Sequence, residues 1–370
     1  MSGTCQTLDI HPPLDDGPGW CWAATHHTPG GASRTIRFEG GPRERQRRTG
    51  RGDPFLLAIL HAALVEGAPL RVRGAPISPT LLVNLDELQH AFHAWYDLPR
   101  IDIQADEERD EIPGHDAPAI AAFSGGIDAA FTVHRHLTPG TGRRRRLGAA
   151  VLVHGFDVKP DDAEGFRRVA ARASALLDGT GLELLAVRTD LRHPGDAWNR
   201  SHGLALAAAL TLLSRGSAAG LIGGSSSYRS LLLPWGSNPI TDPLMGSRSF
   251  AVVHDGTHAS RLDKVRRLAE WPEALRHLRS CWKSPQPDRN CGRCPKCVLS
   301  QALFRCVDLE PPFLDAPLPE EEFCAALRDF SPNEASDPEL FVMRRHLAAR
   351  GATGAWIDAL DAALRRVAGP

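Results

Sequence analysis

The sequence predicts an α/β protein built on a doubly wound, parallel, five-stranded sheet. Two observations bear on the fold, and a third marks a metal-binding element after it. From residue 118 onward, short apolar runs alternate with helix-length segments; such alternation implies crossover connections with helices on both faces of a parallel sheet. The first run, AIAAF at 119–123, meets Ser124, Gly125 and Gly126 and then a helical pattern. Four of the eight cysteines, Cys281, Cys291, Cys294 and Cys297, fall in one short window after the last run.

Residues 1–115 are expected to form a small N-terminal α/β domain. Residues 1–50 are rich in Gly, Pro and Arg and read as a sheet fragment ending in a mobile, solvated basic loop, RERQRR. Segments 54–66 and 81–97 carry apolar spacing of helices, and RIDIQAD at 100–106 alternates like a strand. The polar stretch DEERDEIPGHDAP closes this unit. Residues 116–280 form the sheet domain, with strands at 119–123, 148–154, 182–187, 219–224 and 250–254. Helices are expected between and after them at 127–137, 161–177, 199–215 and 260–279. Residues 281–308 make a four-cysteine element and 309–370 a helical C-terminal cap.

Composition narrows the function. The 370 residues are 42% apolar and 24% charged, an ordinary globular balance. A formal net charge of -1 supplies no global field toward nucleic acid or anionic lipid. The RRRR run at 143–146 has no interleaved aromatics and reads as an exposed turn. No apolar run approaches the roughly 18 residues that span a bilayer. The N-terminal stretch lacks a basic segment followed by an apolar one, so a cytoplasmic location is expected. The oligomeric state stays open, a homodimer included.

The turn after the first strand has the chemistry of an anion site. A strand-to-helix turn leaves backbone N–H groups aimed at one point, with the helix dipole behind them. Gly125 and Gly126 let a phosphate come close to the backbone, and Ser124 adds a hydroxyl. Asp128 would repel phosphate, so it either orients the loop or helps hold Mg²⁺ between phosphates. Neither the Walker pattern nor the GxGxxG fingerprint is present.

In Cx₉CGRCPKC, overlapping CxxC turns can converge on one ion, with Cys281 completing a tetrahedral four-thiolate site. Gly292 and Pro295 favour tight turns, while Arg293 and Lys296 ease the gathering of thiolates. Structural Zn²⁺ is the expectation, over a redox or iron–sulfur role. Cys5, Cys21, Cys306 and Cys324 are isolated and read as buried small apolar residues.

SGGID resembles the SGGxDS signature of the PP-loop ATP pyrophosphatases, which cleave ATP between the α- and β-phosphates; the family's final Ser is Ala129 here. Together with HGFD, DKVRRLAE and CGRCPKC, it makes residues 118–308 resemble the 7-cyano-7-deazaguanine synthase-like zinc-containing ligases. The resemblance implies an adenine nucleotide alpha hydrolase-like fold, ATP with Mg²⁺, and a zinc site that shapes the substrate end of the pocket. Carried over residue by residue, Ser124, Gly125, Gly126 and Asp128 fall on the pyrophosphate loop. His154, Gly155, Phe156 and Asp157 fall where relatives hold adenosine. Lys264 resembles a lysine near the phosphates, against the alternative of an ordinary helix-surface lysine. Asp128 and Lys264 are the expected catalytic pair.

The stretch 223–244 departs from the deazaguanine enzymes, and Ser225, Tyr228, Trp235, Asn238 and Asp242 become candidate substrate contacts, against a structured turn with buried polar groups. The expected activity is an AMP-forming ligase. It would adenylate a carboxylate or amide-like oxygen of a small molecule and replace it with a nitrogen donor. Two rivals remain: sulfur transfer to a nucleobase or tRNA, for which Cys21 and Cys306 stay open as carriers, and a zinc-stabilised binding module without catalysis.

Overall fold

A computed structural model describes residues 5–140, 142–192, 197–331 and 338–368. The strands are β1 Gln6–Ile10, β2 Trp20–His27, β3 Ser33–Gly40, β4 Leu70–Arg73, β5 Ile103–Ala105, β6 Ala119–Ala122, β7 Leu147–His154, β8 Glu183–Thr189, β9 Ala219–Gly223 and β10 Ala251–Asp255. They join in one sheet of order β10-β9-β6-β7-β8-β3-β2-β1-β4-β5. The five predicted strands are β6 to β10, each parallel to its neighbours within this set. Counted among themselves they run 3-2-1-4-5, the order of a doubly wound sheet whose switch point lies beside its first strand.

The expectation of a five-stranded sheet is corrected to ten strands. β8 is not an edge, because β3 pairs antiparallel with it through Phe38↔Thr189 and Glu39↔Arg188. An uncovered β8 would present unpaired N–H and C=O groups, and β3 satisfies them. The predicted domain boundary near 115 falls between β5 and β6, and the sheet runs across it.

Packing on one face is shared between the two halves. Helix α2, Asp53–Glu66, buries Phe55, Leu56, Leu60 and Leu64 in the same apolar layer as Leu204, Ala208 and Leu212 of α6, Trp198–Leu212. α3, Pro79–Tyr96, joins this layer through Leu81, Leu85 and Leu88. The opposite face carries α4 Ile127–Leu137, α5 Ala163–Leu176, α7 Arg261–Leu268 and the C-terminal helices. Along β6 the side chains alternate between the layers, Ala119 and Ala121 on one face and Ile120 on the other.

The basic loop is also corrected, because Pro42–Arg47 forms a short helix, α1. A buried acid, Glu44, anchors it. Glu44 accepts from the Gly41 N–H at 3.1 Å and from the Ala186 N–H of β8 at 2.9 Å, which docks the helix on the sheet. The single helix expected over 260–279 is two, α7 and α8 Pro272–His277, since Pro272 cannot continue a helix but can start one. The later helices are α9 Pro295–Arg305, α10 Glu320–Arg328, α11 Pro338–Ala349 and α12 Ala355–Ala368, the expected helical C-terminal region. Of the isolated cysteines, Cys306 and Cys324 are buried as expected, whereas Cys21 is half-buried and Cys5 exposed. Among the described residues no helix is long and apolar enough to cross a membrane.

One buried histidine makes the N-terminal half sensitive to acid. Gln6 donates its amide N–H to Ala63 O and Ala68 O, which turns Oε1 toward His26 Nε2–H at 2.7 Å. Burial, reinforced by His27 and Arg34, pushes the His26 pKa from 6.5 down to about 4. The unfolded chain therefore binds the extra proton between these values. The stability His26 contributes is complete above pH 6.5 and lost as pH falls toward about 4. Moving from pH 7 to pH 5 should cost about 2 kcal/mol through this group. Urea midpoints measured across that range should fall less steeply in His26→Asn than in the parent.

Candidate functional site

The turn after β6 stands at the carboxyl end of the central parallel strand, beside the switch point between β6 and β9. Gly125 takes φ +76, left-handed backbone that a side chain disfavours. Gly126 is the N-cap of α4 and offers no side-chain cap, so the first N–H groups of the helix stay available to a ligand. Ser124 Oγ accepts from Gly126 N–H at 3.3 Å. This is the strand, glycine turn and helix that the sequence indicates.

Asp128, in the first turn of α4, is held by two cations. Lys264 Nζ lies 2.7 Å from Oδ1 and Arg261 Nε 3.4 Å from Oδ2. Burial opposes the carboxylate charge, but Lys264 and Arg261 outweigh it and keep the Asp128 pKa below its ordinary value. Lys264 is only 1% exposed and also donates to Gly224 O, at the end of β9. It is therefore no surface lysine. Of the two roles open to Asp128, the geometry favours orientation of the loop and of Lys264, since both carboxylate oxygens already face cations.

The residues ending β7 divide into two groups. His154 Nε2–H donates to Lys159 O at 2.7 Å, and its ring stacks on Phe166 at 4.3 Å and 8°. Gly155 has φ +115, and a Cβ there would lie 2.0 Å from Thr189 O. These two shape the bend rather than line the cleft. Phe156 and Asp157 do line it.

Arg279, which the sequence reading missed, ties the parts together. It is 7% exposed; its N–H donates to Gly125 O at 2.8 Å and its Nη2 to Asp157 Oδ2 at 2.8 Å. Nη1 donates to Cys281 O at 3.2 Å. One residue thus links the glycine turn through its backbone, and the end of β7 and the cysteine element through its side chain. Its place two residues before the first clustered cysteine was the only signal of it in the sequence.

Around the turn the cleft has three connected parts. The first is lined by Ser124, Gly126, Asp128, Arg261, Arg279 and Lys296. The second, about 270 Å³, is mostly apolar and includes Phe156, Trp198 and His202. Both share Ser124, Asp128, Ala129, Asp157 and Arg279, so they are continuous. The third, about 240 Å³, shares Arg261, Lys296 and Leu299 with the first.

Of the expected substrate contacts, Ser225 and Trp235 line the third part. The other three lie outside these parts. Tyr228 is 68% exposed and lines none of these parts. Asn238 is 1% exposed; its Oδ1 accepts from Ile240 and Thr241 N–H, and its Nδ2 donates to Trp235 O. Asp242 is fully buried and accepts from Ser237 Oγ, Asn238 N–H and His254 Nδ1. These two side chains fold the loop on itself, so the structured-turn alternative holds for them.

The four clustered cysteines converge. Their sulfurs all lie within 4.8 Å of one another, with Cys281–Cys291 at 3.5 Å and Cys281–Cys294 at 3.8 Å. Bonds of about 2.3 Å in a tetrahedron place sulfurs about 3.8 Å apart, so the set fits a metal such as zinc. Asn290 Oδ1 accepts from Ser280 and Cys281 N–H, fixing the first ligand. Arg172 donates to His277, Leu278, Asp288 and Phe313 carbonyls and clamps the segment from outside. Cys306 is fully buried, which pushes its thiol up to about 12, and neither it nor Cys21 lines the cleft.

No protein-family model, curated protein or solved structure matches the chain.

Proposed function

We propose that the cleft binds ATP and that the protein is an AMP-forming ligase. One observation carries this reading: a glycine turn at the switch point opens a helix and faces Arg261, Arg279 and Lys296 across the cleft, with the buried Lys264 behind it on Asp128. Backbone N–H groups with converging cations match a polyphosphate, and the adjoining apolar part matches a nucleoside. The 3-2-1-4-5 strand order supports an adenine nucleotide alpha hydrolase-like unit within the larger sheet.

The residues then take distinct roles. The turn N–H groups and Ser124 hold the phosphates in line. Lys264, placed by Asp128, and Arg261 stabilise negative charge on the departing pyrophosphate. Mg²⁺, when bound with the triphosphate, neutralises charge between phosphates. The carboxylates nearest the turn, Asp128 and Asp157, already face cations, so phosphate oxygens and water are its fitting ligands. The third part holds a small-molecule carboxylate or amide, whose oxygen attacks the α-phosphorus. A nitrogen nucleophile then displaces AMP. Zinc in a closed four-thiolate site serves structure rather than chemistry. Nitrogen is favoured over sulfur because the cysteines at the cleft belong to the metal cluster and Cys306 is a buried, protonated thiol.

The test is incubation with ATP, Mg²⁺ and a metabolite extract, reading AMP, pyrophosphate and a mass-shifted product. AMP release should depend on ammonium or an amine. Dependence on a thiol donor would establish sulfur transfer instead. Absence of nucleotide binding would leave the binding module, for which Ala129 in place of serine is the hint in the sequence.

A further inference from the structure

We propose that His202 reads the base of the bound nucleotide, accepting a hydrogen bond from an exocyclic amino group such as that of adenine. The inference rests on the reading of the cleft as a nucleoside triphosphate site and goes on to its specificity.

The cleft itself sorts its polar side chains. Ser124, Asp128, Asp157 and Arg279 line both the phosphate part and the apolar part, so they stand at the junction. The rest of the apolar part is aliphatic or aromatic, with two exceptions, Trp198 and His202. An indole N–H only donates. His202 is thus the one side-chain acceptor, among the described residues, that faces the nucleoside end alone.

Its tautomer is set by the helix that carries it. His202 Nδ1 lies 3.1 Å from Trp198 O, one turn earlier on α6. A carbonyl can only accept, so Nδ1 carries the proton and Nε2 keeps its lone pair. Asn199 O is a second backbone acceptor for the ring, on the Nδ1 side beside Gly236, and among the described residues no hydrogen bond of Nε2 is found. The ring is also held by aromatic neighbours, Trp198 at 6.2 Å and Trp235 at 5.4 Å. Burial keeps His202 below its ordinary pKa despite the nearby Asp242 carboxylate, so the acceptor form persists at neutral pH.

The chemistry of the ligand follows. A purine can lie against Phe156 and Trp198, which meet edge to face at 5.2 Å. Arg192 sits over Trp198 at 4.6 Å and steadies the indole. In that seat a 6-amino group gives His202 a donor. A 6-keto group would set lone pair against lone pair, and a purine with neither group would leave Nε2 dry and unpaired. Loss of the donor therefore costs affinity.

The experiment is calorimetric titration of the whole protein with ATP, purine riboside 5′-triphosphate (which lacks the 6-amino group) and GTP. ATP should bind about tenfold more tightly than the purine riboside analogue, with GTP weaker still. His202→Phe keeps the stacked ring and should bring ATP and the analogue to equal affinity. Equal binding of ATP and the analogue by the unaltered protein overturns the inference and leaves the triphosphate reading intact. An ATP preference that survives His202→Phe overturns it too. Failure of all three nucleotides to bind overturns both. The analogue comparison needs no variant, so it stands whether or not His202→Phe folds.

Discussion

Cys294→Ser is expected to empty the four-cysteine cluster and to weaken nucleotide binding with it. A single substitution takes one of four ligands from a site whose sulfurs all lie within 4.8 Å of one another. Binding to such a site is folding free energy, since the unfolded chain has no preformed site. Metal content, measured by mass spectrometry, should fall from about one ion per chain to near none. The nucleotide effect follows from geometry. Cys281 O accepts from Arg279 Nη1, and the same residue donates its N–H to Gly125 O. Loosening the cluster loosens the glycine turn. Solubility and thermal midpoint should fall together with metal. A soluble, metal-free Cys294→Ser protein with unchanged midpoint would remove the structural role from the cluster.

Asp128→Asn is expected to stop pyrophosphate release while leaving metal content unchanged. The amide still fits the space, but the Lys264 ammonium, 1% exposed, loses its counter-charge. Removing one partner of a fully buried pair costs about 3–5 kcal/mol. Asp128 retains 22% side-chain exposure, so about 2 kcal/mol is the expected loss, visible as a lower thermal midpoint. Turnover should drop about a hundredfold or more, because Lys264 no longer meets the charge of the leaving pyrophosphate in a fixed position. Adding Lys264→Met to Asp128→Asn should restore much of the stability and none of the turnover, since the unpaired charge is gone. Normal pyrophosphate release in Asp128→Asn would refute the assignment of the turn.

The contrast between these sites shows what the sequence makes legible. The glycine turn and the cysteine cluster are local, so SGGID and Cx₉CGRCPKC carry nearly all of their geometry. The five parallel strands were legible because buried parallel strands read as short apolar runs between turns. What was not legible depends on distant partners. Nothing in SRTIRFEG says that Phe38 will meet Thr189 across the sheet. Nothing in RERQRR says that Glu44 will find the Ala186 N–H. Asn238 and Asp242 misled for the same reason, since a polar residue in a loop looks alike whether it faces a ligand or its own backbone. His202 hid within an apolar helix, where only the fold reveals which face meets the cleft.

The antiparallel join between β3 and β8 has a consequence for how the cleft holds its shape. The half that carries the cleft is not a detachable cassette. A fragment beginning at residue 116 would bare the flank of β8 and strip the greasy cover from α6. The first hundred residues therefore act as scaffolding for the cleft without lining it.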